Sequence, residues 1–213
     1  MLSKIVKASW LASLSLQTID SLSFHPSLQR GQAVVINGCS FPIFLKSCVN
    51  DDPLPQVLKA KHVYRETYRL NPDGGGVSIK LASNQSIGTA ADIATAFDQS
   101  HITQFEYTYT PHIPPGLFYD ISNVDGGIPY PFAAYGLELD GTTRDCQRVV
   151  CPANNSTCSA AYTIPSDNYA THGCGSSNTL TLTLCLKTNR TNVYSDLSQG
   201  RCNSRPAYAT GWQ

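Results

Sequence analysis

The chain has 213 residues, 15 basic and 15 acidic, and only 14% of them are charged, well under the ~25% of an ordinary soluble domain. Balanced charge without a Lys/Arg run argues against a nucleic-acid partner, and the lack of an apolar run of membrane-spanning length argues against a transmembrane helix. The balance is a cancellation: residues 33–186 hold eight basic and thirteen acidic side chains, residues 1–32 hold three basic and one acidic, and residues 187–213 hold four basic and one acidic.

At the N-terminus, Lys4 and Lys7 precede a short apolar stretch with Trp10, Leu11, Leu14 and Leu16. That is the layout of a secretory signal peptide with a weak apolar centre. Ser21-Leu22-Ser23 sets small residues where cleavage is expected, so residues 1–24 read as the leader, with the cut falling within 18–31.

The body reads as β. Residues 33–37 predict a buried strand and 41–45 a second, with Pro42 marking an edge or a break. Residues 62–69 alternate, and 77–81 alternate again after the Asp73-Gly74-Gly75-Gly76 turn. Residues 89–97 are the one stretch with a helical reading. Residues 102–109 predict a strand with Phe105, Tyr107 and Tyr109 on one face and Gln104, Glu106 and Thr108 on the other. Residues 117–122 follow, closed by Asp125-Gly126-Gly127. Residues 146–178 carry Cys146, Cys151, Cys158 and Cys174 and read as a stapled loop region. In 179–186, leucines alternate with threonines, and residues 187–213 form a polar, basic tail. Short strands separated by Gly/Pro turns point to a single antiparallel β-sandwich or barrel over residues 33–186.

The eight cysteines are even in number and contain no Cys-x-x-Cys pair, which favours disulfides over metal and places the chain in an oxidising compartment. Spacing alone leaves on the order of a hundred pairings open. Glycosylation sequons at Asn84, Asn154, Asn155 and Asn189 agree with that compartment. There is no Gly-x-Ser-x-Gly and no His-Glu-x-x-His, and Gly74-Gly75-Gly76 enters a strand rather than a phosphate-cradling helix. No metal and no cofactor are expected. The remaining chemistry-bearing set is Glu106, Asp120 and Asp125, two of which have an ordinary reading as strand-end and turn residues.

Several segments in the same order resemble the thaumatin-like protein family, and its small fungal branch with the yeast-phase-specific proteins of dimorphic fungi. They are Val35-Ile36-Asn37-Gly38-Cys39, Gln104-Phe105-Glu106-Tyr107, the run from Phe118 to Gly126, Cys146 to Cys151, Cys158 to Tyr162, and Thr181 to Cys185. The resemblance implies an all-β thaumatin-like antiparallel sandwich with a small disulfide-rich loop region and a cleft between them. It implies the pairs Cys39–Cys185, Cys146–Cys174 and Cys151–Cys158. Cys48 and Cys202 have no counterpart in the family and are expected to pair with each other.

The family's cleft is built on one Arg, one Glu and three Asp. Glu106, Asp120 and Asp125 match the Glu and two Asp, Ala160 stands where the third Asp falls, and Arg65 and Arg69 are candidates for the Arg. With the set incomplete, the expected protein is secreted, non-catalytic and monomeric. It is expected to act at the cell wall or surface through a polysaccharide such as β-glucan. The alternatives are a weak endo-β-1,3-glucanase, with Glu106 as proton donor and Asp120 or Asp125 as its partner, and an effector acting on a host protein.

Overall fold

The computed structural model describes residues 30–83, 93–98, 101–186 and the backbone of 195–198. The leader 1–24, most of the tail 187–213, Asn84, Asn189 and Cys202 lie outside the described residues, so the Cys48–Cys202 pairing stays an expectation.

Two six-stranded sheets face each other. The strands of the first are β1 (Gln32–Asn37), β4 (His62–Thr67), β8 (Leu137–Gly141), β9 (Val149–Cys151), β11 (Leu180–Leu184) and β12 (Ser195–Ser198), in the order β12-β4-β1-β11-β8-β9. The second holds β2 (Ile43–Cys48), β3 (Gln56–Leu58), β5 (Val77–Ser83), β6 (Thr103–Tyr109), β7 (Gly116–Ser122) and β10 (His172–Gly175), in the order β10-β7-β6-β5-β2-β3. A single described helix, α1 (Ile93–Asp98), lays Phe97 against Phe44 and Ala82 on the outer face of β2 and β5.

The sandwich is antiparallel-rich rather than wholly antiparallel. β1 lies parallel to β11, and β12 parallel to β4, because the first and last long strands sit side by side. The second strand begins at Ile43, past Pro42, whose missing N–H cannot join the ladder. The stapled loop region also carries two short strands, β9 and β10, and four residues of the basic tail run along β4.

Period-two alternation fills the space between the sheets. Val77, Ile79 and Leu81 of β5, Phe105, Tyr107 and Tyr109 of β6, and Leu117, Tyr119 and Ile121 of β7 meet Leu180, Leu182 and Leu184 of β11 in one core. One charge lies among them. The Glu66 carboxylate, 3% exposed, accepts hydrogen bonds from Tyr64 (2.7 Å), Ser47 (2.8 Å) and Tyr107 (2.7 Å), and pairs with Arg69 at 3.3 Å. Ser47 and Tyr107 belong to the opposite sheet, so the carboxylate ties the two layers together.

Disulfides fasten strand ends and loops. Cys39–Cys185 joins the ends of neighbouring β1 and β11, Cys146–Cys174 links the loop after β8 to β10, and Cys151–Cys158 closes a short loop after β9. At the first of these, Gly38 is required by close approach, since a Cβ there would meet the Leu184 carbonyl oxygen at 2.3 Å. Asn37 holds the same corner. Its buried amide donates to the Phe41, Leu58 and Lys59 carbonyls while its oxygen accepts the Cys39 N–H.

Replacing Tyr107 with Phe removes a hydrogen bond to the buried Glu66 carboxylate and leaves the Arg69 backbone N–H without the Tyr107 oxygen it uses at 3.2 Å. Hydrogen bonds to charged groups contribute about 1.5–3 kcal/mol. Urea melts of Tyr107→Phe should show a loss of that size, and an unchanged midpoint would contradict the inter-sheet role of Glu66.

Candidate functional site

If Phe105, Tyr107 and Tyr109 face the core, Gln104, Glu106 and Thr108 must face outward. Neighbouring strands extend that outward surface. Ser78, Glu106 and Asp120 form one cross-strand row on β5, β6 and β7, and Lys80, Gln104 and Ser122 form the next. Cross-strand partners on one face come within side-chain contact.

The face is wired together. Ser78 Oγ donates to Gln104 Oε1 at 2.8 Å, and Gln104 Nε2 donates to Asp125 Oδ2 at 3.3 Å. Asp125 is exposed in the turn after β7, where Gly126 N–H donates to the Asn123 carbonyl. Asp120 is not a strand-end or cap residue. It sits within β7 and is 3% exposed. Beside it runs the segment after Cys158, where the Tyr162 backbone bonds to both Ile121 and Asn123.

The Glu106 and Asp120 carboxyls are in hydrogen-bond contact. Burial pushes Glu106 up to about 7, with Lys80 opposing the rise and Asp125 adding to it. Burial, then the Glu106 charge and the hydrogen bond to it, hold Asp120 well above the usual carboxylate range. Two carboxyls so placed cannot both ionise near neutrality, so they share a proton. Asp120 Oδ1 has no hydrogen-bond partner among the described residues.

The other expected members of the set are not on this face. Arg69, half-buried just after β4, turns to Glu66 on the core side, and Arg65 is exposed on β4 of the first sheet. Ala160 is partly buried against the core. Sequence reasoning missed Ser78 and Gln104, although Gln104 stands two residues from Glu106 on the same strand face. Of the sequons, Asn154 and Asn155 lie in the Cys151–Cys158 loop, and Asn155 folds its Oδ1 back onto the Thr157 N–H at 3.1 Å.

The model of the Blastomyces yeast-phase-specific protein family matches residues 22–186. The chain belongs to that family. It is 37% identical over 156 residues, 73% of this chain and 71% of the relative, to an antigenic thaumatin-like protein of Arthroderma benhamiae. It is 33% identical over 173 residues, 80% of this chain and 91% of the relative, to the secreted thaumatin-like protein calA of Emericella nidulans. The crystal structure of the protein elicitor MoHrip2 from Magnaporthe oryzae shares the fold, with a TM-score of 0.51 at 21% identity, covering 73% of this chain and 98% of that one. The fold is therefore thaumatin-like and the family fungal, as the sequence segments implied.

The raised carboxyls have a consequence for stability. Between the ordinary Glu value of 4.5 and about 7, the folded face holds a proton that the unfolded chain has released. Stability from this source is complete at acid pH and falls as pH rises through about 7. Denaturant melts from about pH 5 to about pH 8 should show that decline, and Glu106→Gln should flatten it. An equal slope in both proteins would mean that the pair does not share a proton.

Proposed function

We propose that this protein is secreted and acts without catalysis at the fungal wall or cell surface, binding polysaccharide through the Glu106–Asp120–Asp125 face. Secretion is supported by the three disulfides, which persist in oxidising compartments, and by the name of the Emericella nidulans relative. The observation that carries the reading is the contact between Glu106 and Asp120. Glycoside hydrolysis needs two carboxyls set roughly 5–9.5 Å apart, so that a glycosidic bond or a water fits between them. Glu106 and Asp120, sharing a proton, leave no such room between them, which argues against Asp120 as the partner of a Glu106 proton donor. Glu106, half-buried, and Asp125, exposed, are what this face offers to solvent, and a carboxyl that keeps a proton both donates and accepts hydrogen bonds, which suits the hydroxyls of a neutral glycan.

Gln104 and Ser78, both buried, brace this face from beneath, Ser78 donating to Gln104 and Gln104 to Asp125, and Lys80 stands in the adjacent row. A β-1,3-glucan is the expected partner. The full chain should sediment with insoluble β-1,3-glucan, and Glu106→Gln combined with Asp120→Asn should shift most of it to the supernatant. Neither protein should release reducing sugar from laminarin. Wild-type protein found wholly in the supernatant would refute glucan binding. Sugar release that disappears in Glu106→Gln would make the protein a hydrolase.

A further inference from the structure

We propose that Asn155, and not its neighbour Asn154, carries an N-linked glycan. The two lie in overlapping sequons, Asn154-Asn155-Ser156 and Asn155-Ser156-Thr157, inside the loop closed by Cys151–Cys158. Each is an asparagine two residues before a serine or threonine, the acceptor pattern of surface loops in secreted proteins. Adjacent asparagines leave room for one branched oligosaccharide, so the loop must take one site or the other. The proposal rests on the reading that the protein is secreted and is independent of glucan binding.

Asn154 has a conformational reason to stand where it does. Its φ is +60°, a left-handed backbone that asparagine takes more readily than most residues. Its N–H donates to the Ala133 carbonyl at 2.7 Å, which ties the turn to the neighbouring segment. Asn155 is placed differently. Its Oδ1 accepts the Thr157 N–H at 3.1 Å, an Asx turn within its own sequon. That bond engages only the oxygen. Nδ2, the atom that takes a glycan, donates to no group among the described residues and is not buried.

Thr157, whose hydroxyl completes the Asn155 sequon, is exposed, as is Ser156 between them. Threonine also offers the transferring enzyme a methyl contact that Ser156, the third residue of the Asn154 sequon, lacks. The transfer is a substitution at the anomeric carbon of a lipid-diphosphate-linked oligosaccharide. The Asn155 amide nitrogen forms the new C–N bond, the C–O bond to the diphosphate breaks, the lipid diphosphate leaves, and the amide gives up one proton. The folded loop accommodates the product without rearrangement, because the Asx turn does not use the nitrogen.

The test uses the full chain expressed for secretion in a fungal host. Enzymatic removal of N-glycans in ¹⁸O water turns an occupied asparagine into ¹⁸O-labelled aspartate, which tandem mass spectrometry locates. The label should fall on residue 155. Thr157→Ala, which destroys only the Asn155 sequon and keeps the backbone N–H of the turn, should remove the glycan from this loop. Ser156→Ala, which destroys only the Asn154 sequon, should retain it. Both side chains are exposed, and the Cys151–Cys158 cross-linked peptide in the same digest checks that each variant has folded. A label on residue 154, loss of the glycan in Ser156→Ala, or its persistence in Thr157→Ala would each overturn the assignment. So would an unlabelled loop in wild-type protein that has lost its leader and holds the Cys151–Cys158 bridge, and that result would leave secretion standing. A chain retained in the cell with Met1 intact would overturn both.

Discussion

The buried Glu66 carboxylate constrains how the two sheets of this sandwich can meet. A charge taken out of water is costly unless it is paired and hydrogen-bonded. Here Tyr64, Ser47, Tyr107 and Arg69 surround it from both sheets. That arrangement tolerates little sliding. A strand shifted by one residue turns every side chain to the other face, and β6 shifted by one would withdraw Tyr107 from Glu66. With Tyr107 fixed inward, Glu106 is fixed outward beside Asp120. The acidic face is thus the reverse side of the surface that satisfies the buried charge.

The disulfides complement that register. Cys39–Cys185 spans a sequence separation of 146, and closing so long a loop restricts the unfolded chain by about 5 kcal/mol on a chain-entropy basis whose mechanism is debated. It fastens two parallel neighbours that no hairpin connects. Cys146–Cys174 joins the loop after β8 to β10, and so carries the stapled region across from one sheet to the other. The Cys151–Cys158 staple is local. It closes the short loop that bears Asn154 and Asn155.

Elements with an apolar run or a clear alternation were legible from the residues alone. The runs around 33–37, 62–67, 77–81, 103–109, 117–122 and 180–184 became β1, β4, β5, β6, β7 and β11, because each buries at least one face, and β1, β5 and β7 bury residues on both. β3, β9 and β10 were not legible. They are three or four residues long, too short for a period, and β9 and β10 are placed by disulfides and neighbours. β8 was missed although Leu137 and Leu139 alternate with Glu138, because the short run lies among turn residues. The parallel pairing of β1 with β11 could not be read from either strand. At the site, alternation placed Glu106 outward, but it could not show that Asp120 lies directly opposite or that the two touch. Arg69 followed a strand rich in polar residues, and nothing in the sequence showed it turning inward to Glu66.

The charge arithmetic also changes once the pairs are placed. Residues 33–186 carry thirteen acidic and eight basic side chains, which suggests a strongly acidic body. Lys46, however, is paired at 2.7 Å with Asp52 and at 2.6 Å with Asp98, Arg148 is paired with Glu138, and Arg69 with Glu66. Burial and mutual repulsion raise both Glu106 and Asp120, so the central row of the face carries less negative charge than its two carboxyls suggest, with Lys80 in the next row. A surface of that kind has little long-range pull on ions. Its hydrogen-bonding groups stand in fixed geometry, with Asp120, Gln104 and Ser78 buried and Asp125 exposed, so only part of the formal acidity of this face reaches solvent.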